Sequence, residues 1–241
     1  MFKFKNDSTK TQDNFRSQIL QDWGRAFKTT ELILRSQPFV QVVIIKNNVQ
    51  SILIFVKMAR KFDQIVVIDL EATCWEKSKD RPKNETNDII EIGICLLDVQ
   101  TRKRAEKHSI LVKPQRSRVS DFCTKLTTLT QEQVDRGILF ADACKMLRDR
   151  FHSKQRVWAS YGEYDRNQLQ KQSQEMDIAY PFGTRHINVK TLLAIAHQLP
   201  QEVGMGQALE LLNLPLEGTH HRGGDDAWNI AAILAVLLWN K

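Results

Sequence analysis

The chain has 241 residues, a length that suits one large domain or a domain with an appendage. Its 42% hydrophobic and 26% charged residues are typical of a globular protein and exclude a fibrous or largely disordered chain. The net charge is +7, but residues 1–57 carry +5 of it, with nine Lys and Arg against four Asp and Glu. The basic surplus is therefore weak evidence for a nucleic-acid surface on the remaining residues.

The four cysteines form no Cys-x-x-Cys pair, which indicates neither a zinc site nor a disulfide framework, and buried reduced thiols are expected. The first fifteen residues are polar and unlike a signal peptide. The apolar stretch over residues 39–56 is interrupted by Lys, Asn and Gln, so no membrane span and no membrane partner are expected. These features favour a cytoplasmic protein.

Residues 1–57 indicate no function. Phe15 to Leu34 has loose helical spacing, whereas Phe39 to Ile45 and Ile52 to Val56 could be strands on either side of a turn. A seam in composition follows at Met58. We therefore predict an N-terminal extension of unknown role over 1–57 and a main domain over 58–241.

The most informative stretch begins with the apolar, β-branched run Ile65 to Ile68, which predicts a buried strand. Asp69 and Glu71 follow, and because residues two apart in a strand share a face, both carboxylates should project to one side. Such a pattern can also be a strand end emerging into solvent. Two like charges that close repel unless a cation lies between them, and carboxylate oxygens suit Mg²⁺ or Mn²⁺.

The rest of the main domain alternates strands and helices. Further strands are predicted at Ile89–Leu97, Lys107–Val112 and Arg156–Tyr161, and a loop at Pro181–Asn188. Helices are predicted to open after Ser120 and Thr130 and to cover Phe140–Phe151, Glu163–Gln172, Val189–Leu199, Met205–Leu212 and Asp225–Trp239. This order predicts an α/β domain with a mixed sheet flanked by helices.

Two helix starts add carboxylates. Asp165 falls in the first turn of its helix, where the helix dipole alone would favour an acid. Asp226 shares a helix face with apolar residues, and an acid there is costly unless it is paired or metal-bound, whereas Asp225 is the better candidate for a helix cap. The polar loop before this helix contains His220 and His221, which could also be a solvent-exposed pair.

Four acids and one imidazole suit two-metal phosphoryl transfer, in which a histidine can take the proton of the attacking water. At this point the chain resembles the DEDDh family of 3′-to-5′ exonucleases, and most closely its histone-mRNA 3′-exonuclease, or enhanced-RNAi, branch and its bacterial relatives. The matching segments are Ile68–Cys74, Ser120–Asp135, Tyr164–Asp165, His221 with Asp226, and Asp225–Ala231.

The resemblance implies a ribonuclease-H-like fold with a five-stranded sheet and a role for each residue. Asp69 would bridge two Mg²⁺ or Mn²⁺ ions, Glu71 and Asp226 would hold the ion that activates water, and Asp165 would support the second ion. His221 would be the general base, because the family places its histidine five residues before the last aspartate. His220 with Asp225 has the same spacing and remains the alternative.

The resemblance also implies a place for the terminal nucleotide. The backbone around Ala72 and Thr73 would approach it, and Trp75 or Leu129 would pack on its base, since apolar and aromatic faces accept any base. Residues Gln131–Arg136 and Arg222 could contact phosphates, although a solvated charged face explains them equally well.

The implied function is that of a metal-dependent 3′-to-5′ exonuclease that releases nucleoside 5′-monophosphates from nucleic acid. A preference for single-stranded RNA or 3′ overhangs rests on the branch alone. The alternatives are a DNA exonuclease and a non-catalytic nucleic-acid-binding module on the same fold. The sequence indicates no particular protein partner.

Overall fold

The computed structural model describes residues 31–37, 40–46, 51–56 and 61–239. The chain forms two compact units, residues 1–58 and 59–241. In the first unit, β1 (Glu31–Gln37), β2 (Val40–Lys46) and β3 (Ser51–Val56) form an antiparallel sheet in that order.

The two strands predicted in this unit are confirmed as β2 and β3. The helix predicted from Phe15 to Leu34 is wrong over its described part, because Glu31 to Leu34 belong to β1. There the backbone pairs with β2 in a ladder that places Ile33 opposite Ile44, so strand pairing overrides a weak helical spacing. The remainder of that predicted helix, and the turn near Asn47, lie outside the described residues.

The second unit is built on a five-stranded sheet in the order β6-β5-β4-β7-β8. The β4–β5 and β5–β6 pairs are antiparallel, whereas the β4–β7 and β7–β8 pairs are parallel. This confirms the mixed sheet. The strands are β4 (Gln64–Ala72), β5 (Ile89–Asp98), β6 (Lys103–Leu111), β7 (Val157–Ser160) and β8 (His186–Asn188).

Strand β8 lies inside the segment Pro181–Asn188, which was predicted to be a loop. Its three residues pair in parallel with β7, with His186 opposite Trp158. Three residues are too few to show an alternating pattern, so the strand is defined only by its neighbour.

Seven helices are described in this unit. They are α1 (Asp121–Thr127), α2 (Gln131–Asp135), α3 (Phe140–Phe151), α4 (Tyr164–Glu175), α5 (Val189–Ala196), α6 (Met205–Leu211) and α7 (Gly223–Trp239). The first two begin where the capping residues predicted: the Ser120 hydroxyl accepts the Cys123 N–H at 3.0 Å, and Thr130 forms a capping box with Gln133.

The two faces of the sheet pack against different helices, and β4 contributes to both by alternation. Val66 and Ile68 lie in the cluster that contains residues of α3 and α4, whereas Ile65 and Val67 lie in the cluster that contains the apolar face of α7. Asp69 and Glu71 continue the second series. The strand therefore directs both carboxylates toward the α7 side of the sheet, where Asp226 lies in the first turn of the helix.

Helix α7 comes unusually close to the sheet at its start. A Cβ atom on Gly93 of β5 would lie 1.8 Å from the Gly223 carbonyl oxygen, so only glycine allows this approach. Gly93 is the register partner of Asp69, and this contact therefore places the first turn of α7 close to Asp69 on β4.

Within the described ranges, every helix is too short or too polar to span a lipid bilayer.

Candidate active site

Three predicted carboxylates converge at one point. Asp69 and Glu71 extend from β4, and Asp226 faces them from the first turn of α7. One oxygen from each of the three lies within 4.8 Å of the others. Glu71 and Asp226 are only 8% and 3% exposed, so these charges are held together away from bulk water.

The fourth carboxylate arrives from the neighbouring strand. Strands β4 and β7 are parallel, so their carboxyl ends meet at one edge of the sheet, and α4 begins shortly after β7. Asp165, in the first turn of α4, is 4% exposed and accepts a hydrogen bond from the Leu70 N–H at 3.0 Å. This bond fixes Asp165 beside Asp69, across the strand from Asp226.

The four carboxylates border a cavity of about 360 Å³. Its other lining residues are Leu70, Ala72, Cys74, Leu126, Tyr161, Tyr164, Lys190, Gly204, Met205, His220, His221 and Ile230. The cavity thus combines four carboxylates with several apolar side chains. This combination suits a metal ion and a nucleobase in the same site.

The buried carboxylates of the site repel one another, and this repulsion favours binding of a cation. Burial, and then the neighbouring carboxylates, raise the pKa of Asp69 well above its usual range. Burial and then Asp226 raise the pKa of Glu71 to about 8, and burial raises that of Asp165 to about 7 although hydrogen bonds from Leu70 oppose it. Burial likewise raises the pKa of Asp226, against the opposing effect of His220. Divalent ions bound by these oxygens would offset the repulsion, so the donor set fits hard cations such as Mg²⁺ or Mn²⁺.

Both histidines of the predicted loop lie at the cavity. The His220 Nδ1 is 3.0 Å and 3.2 Å from the two Asp226 carboxylate oxygens, and the His221 backbone N–H donates to Asp226 Oδ2 at 2.8 Å. The two rings stack with centroids 4.0 Å apart. Burial and then His220 lower the pKa of His221, which keeps that imidazole neutral and able to accept a proton.

The histidine loop is held by groups on either side of it. His221 has φ 63° and Gly218 has φ 84°, both in the left-handed region. Asp225 accepts the Thr219 N–H at 2.8 Å and pairs with Lys107, so its carboxylate holds the loop. The prediction that Asp225 caps the helix is therefore wrong, because the helix already begins at Gly223.

Glu91 performs the capping role instead. This fully buried side chain of β5 accepts the Gly223 N–H at 2.9 Å and hydrogen bonds from Arg222 and the Ser109 hydroxyl. Nothing in the sequence distinguished Glu91 from other strand residues. Its role depends on a helix that is more than 130 residues away in the chain. Arg222, considered as a phosphate contact, is engaged by Glu91 here.

Comparison with known proteins places this geometry in a family. Residues 66–234 match the family described as "Exonuclease". The chain is 30% identical to the solved nuclease domain of 3′hExo, "a DEDDh family member, bound to rAMP", with a TM-score of 0.67 over 75% of this chain and 94% of that one. The chain belongs to the DEDDh exonuclease family.

Two further relatives of this DEDDh chain are informative. It is 31% identical to human 3′-5′ exoribonuclease 1 over 188 residues, which is 73% of this chain and 53% of the human protein. It is 28% identical to a 3′-exonuclease solved for "3′-end specific recognition of histone mRNA stem-loop", with a TM-score of 0.65 over 75% of this chain and 83% of that one. The chain spans about half the length of the first curated relatives it matches. Enzymes of this DEDDh family use two divalent metal ions, Mg²⁺ or Mn²⁺.

Of the four residues predicted to contact the terminal nucleotide of this DEDDh chain, only one lines the cavity. Ala72 lines it. Thr73 is fully buried, and its hydroxyl accepts the Asp88 N–H at 2.9 Å and bonds Ser117, so this side chain fixes the turn after β4. Trp75 is half-buried and is not among the lining residues.

Leu129 requires a correction. It is only 1% exposed and packs with Cys123 and Val134, so it cannot present a face to a base without leaving the core. Leu126, one turn earlier on α1, lines the cavity in its place. The sequence offered no reason to prefer Leu126, because α1 has only seven residues and the spacing of its apolar residues does not define a buried face.

Two further lining residues were missed by the sequence analysis. Tyr164 is 55% exposed although it directly precedes Asp165, so its aromatic ring is available at the cavity. Lys190 of α5 contributes an ammonium group whose nearest acid, Glu202, is 3.8 Å away. The adjacency of Tyr164 to Asp165 was a usable signal, whereas Lys190 is brought to the site only by the packing of α5.

The charged segment Gln131–Arg136 forms α2 and its C-terminal cap. Several of its side chains are paired with neighbouring protein groups. Arg136 pairs with Glu132, and the Gln131 side-chain amide oxygen (Oε1) accepts the Val119 N–H at 2.8 Å. The segment does not line the cavity, so a contact with phosphate there would involve nucleotides beyond the terminal one.

Proposed function

We propose that this protein is a metal-dependent 3′-to-5′ exonuclease that hydrolyses RNA from its 3′ end and releases nucleoside 5′-monophosphates. The observation that carries the proposal is the convergence of Asp69, Glu71 and Asp226 within 4.8 Å, with Asp165 beside them and two histidines at the same cavity. A structural protein has no reason to hold so many acids together at the edge of its core.

The chemistry follows from what each group can do. Asp69, Glu71, Asp165 and Asp226 would hold the two divalent ions, which when bound supply Lewis acidity for the scissile phosphate and its leaving oxygen. His221 would accept the proton of the attacking water at an imidazole nitrogen. We retain His221 over His220 because the His220 Nδ1 is already engaged by Asp226.

The walls of the cavity suit a terminal nucleotide of any base. Leu126 and Tyr164 offer an apolar and an aromatic face, which can pack on a base without reading its identity. Ala72 brings the strand backbone close to the same space, and Lys190 could balance a phosphate charge. Trp75 stays a predicted contact of the terminal base, from outside the residues that line the cavity.

RNA is favoured over DNA as the substrate because relatives named as exoribonucleases, and 3′-exonuclease structures described with rAMP and with a histone mRNA stem-loop, share the fold and 28–31% of the sequence. We propose substrates with a single-stranded 3′ end, because an unpaired terminal nucleotide can enter the cavity without first being separated from a partner strand. We further propose that the catalytic domain is 58–241, that 1–57 is an appendage, and that the protein acts in the cytoplasm.

The test uses RNA and matched DNA labelled at the 5′ end, with Mg²⁺, Mn²⁺ or EDTA. We expect stepwise shortening from the 3′ end that requires a divalent ion and is faster on RNA. Asp69→Asn should lower the rate by at least about a hundredfold, because loss of a coordinating group should cost no less than the roughly 10- to 100-fold typical of losing an outer partner of a metal ligand. Asp142→Asn, which changes an exposed acid on α3, is the matched control and should leave the rate unchanged.

If folded wild-type protein binds RNA but shortens it under no metal condition, the chain is a binding module on the same fold. If DNA is shortened faster than RNA, the DNA exonuclease is the better assignment. A truncated chain of residues 58–241 that retains the rate would support the proposed domain boundary.

A further inference from the structure

Two of the four cysteines meet beside the active-site cavity. Cys74 follows β4 by two residues, is half-buried and lines the cavity. Cys123 lies in the first turn of α1 and is fully buried, with Cys74 packed against its cluster. The two side chains interact closely enough to shift the pKa of each thiol, in opposite directions. The pair therefore joins the strand that carries the carboxylates to the helix that carries Leu126.

The backbone around the two thiols is clamped in the same arrangement. The Ser120 hydroxyl donates to the Cys74 carbonyl at 2.6 Å and accepts the Cys123 N–H at 3.0 Å. The Cys123 thiol also lies 3.6 Å from the Ala72 carbonyl oxygen. One hydroxyl therefore joins the two backbone segments that carry the sulfur atoms.

The four thiols differ in chemical character. The interaction between the two side chains lowers the pKa of Cys123 to about 7 and raises that of Cys74. Burial raises the pKa of Cys95 and of Cys144 to about 12, so both stay protonated and inert. Cys74 is moreover the only one of the four that is not fully buried, and the cavity gives small solutes access to it.

We propose that Cys74 and Cys123 are a modification site at which hydrogen peroxide forms a reversible disulfide that lowers the exonuclease activity. In the first step the Cys74 sulfur attacks one peroxide oxygen, the O–O bond breaks, and the departing hydroxide takes up the Cys74 proton and leaves as water. In the second step Cys123 attacks the Cys74 sulfenic acid, the S–S bond forms, and the hydroxyl leaves as water with a proton. Overall, two thiols and one peroxide give one disulfide and two waters, and a dithiol reductant reverses the change.

The structural consequence follows from bond lengths. The two sulfur atoms must approach to about 2.05 Å to form the bond. We expect this approach to displace the segment after β4 relative to α1, and the two elements contribute Ala72 and Leu126 to the cavity lining. A displacement of about 1 Å at a reacting centre can cost about a hundredfold in rate. We therefore expect the oxidised protein to be at least about tenfold slower.

The first measurement is of the bond itself and does not depend on activity. The full-length reduced protein is treated with hydrogen peroxide, the remaining thiols are alkylated, and the protein is digested without reductant. We expect a mass lower by two hydrogen atoms and a linked peptide pair that contains Cys74 and Cys123. Cys95 and Cys144 should be alkylated after denaturation. Absence of the linked pair at peroxide doses that consume Cys74 would overturn the proposal.

The second measurement compares the oxidised-to-reduced rate ratio, which rests on the proposed exonuclease function. The ratio should fall in the wild type and in a Cys95→Ala/Cys144→Ala variant, return with dithiothreitol, and stay near one in Cys123→Ser. A linked protein that is as fast as the reduced one contradicts the proposed effect on rate. If the reduced protein shows no nuclease activity, the proposed function fails, while the peptide map still decides whether this pair is a disulfide site.

Discussion

At the scale of single residues, the two adjacent histidines have different contacts, and this difference supports the proposed choice of His221 as the base. His220 faces Asp226 through its Nδ1, whereas His221 contacts Asp226 only through its backbone N–H. The His221 imidazole is therefore free of that carboxylate, and its lowered pKa keeps it neutral. A neutral imidazole at the cavity is what a general base requires.

We predict that His221→Asn lowers kcat by about 10²- to 10⁴-fold, the range ascribed to general base catalysis, with little change in KM for RNA. His220→Asn should lower it by clearly less, since it removes a group that orients Asp226 rather than the base. Steady-state kinetics of both variants at pH 7 would check this. The reverse order of effects would transfer the base to His220 and exclude the assignment of His221.

Most of the candidate site residues could be singled out from the sequence, because each places a polar group where the hydrophobic pattern of its strand or helix predicts an apolar one. Two acids directly after a buried strand, and Asp226 on an apolar helix face, are visible as violations of hydrophobic patterning. Leu129 and Leu126 are both leucines in a short polar segment, and no local pattern distinguishes them. Which one enters the core depends on how α1 and the turn after it pack against Ile90 and Val134.

At the scale of elements, the approach of α7 to β5 orients the site. The Cβ positions of Gly93 and Gly223 face each other across this contact, and Gly223 also lies against the Asp69 carbonyl oxygen. Any side chain here would lift the start of α7 and carry Asp226 away from Asp69. The two glycines therefore set the spacing between the strand carboxylates and the helix carboxylate.

We predict that Gly93→Ala destabilises the protein by at least about 3 kcal/mol, since its methyl group would lie 1.8 Å from a backbone oxygen. That corresponds to a fall in Tm of about 6–12 °C for a protein of this size. Gly206→Ala, on α6 where a methyl group meets nothing within 4 Å, is the matched control and should be neutral or slightly stabilising. Differential scanning calorimetry of both variants would decide; equal Tm values would contradict this account of the contact.

Element boundaries followed from the sequence where a capping residue or a strong period was present, as at Ser120, Thr130 and Phe140–Phe151. They failed where the partner lies far away in the chain. Strand β8 exists through its pairing with β7, and α7 starts at Gly223 because Glu91 of β5 caps it. Such long-range hydrogen bonds leave no local trace in composition or spacing.

At the scale of the whole molecule, the fold holds four carboxyl groups close together, and burial raises the pKa of each. Bound divalent ions would offset the repulsion between the ionised forms. The Glu71 carboxyl, with its pKa raised to about 8 by burial and by Asp226, keeps a proton in the folded protein that the unfolded chain has already released. The folded state therefore binds more protons than the unfolded state between about pH 5 and pH 8. By linkage, this group makes the metal-free protein less stable as the pH rises through that window.

We predict that Glu71→Gln, which removes this titration while keeping the shape, becomes increasingly more stable than the metal-free wild type from pH 5 to pH 8. The difference should grow by at most about 1.4 kcal/mol per pH unit, and taking it between the two proteins cancels the titrations of groups that do not interact with Glu71. Thermal unfolding in EDTA at several pH values measures it. A difference that is constant or shrinks toward pH 8 would contradict the raised pKa.

Added Mg²⁺ should reverse this trend in the wild type, because the ion competes with the protons that the carboxylates hold. We predict a rise in Tm on adding Mg²⁺ that is larger at pH 8 than at pH 5.5, where protons win the competition. In Glu71→Gln the rise should be smaller at both values, since one ligand charge is gone. Sodium chloride at matched ionic strength is the control; an equal rise with that salt would mean that general screening, and not occupancy of the carboxylate site, stabilises the protein.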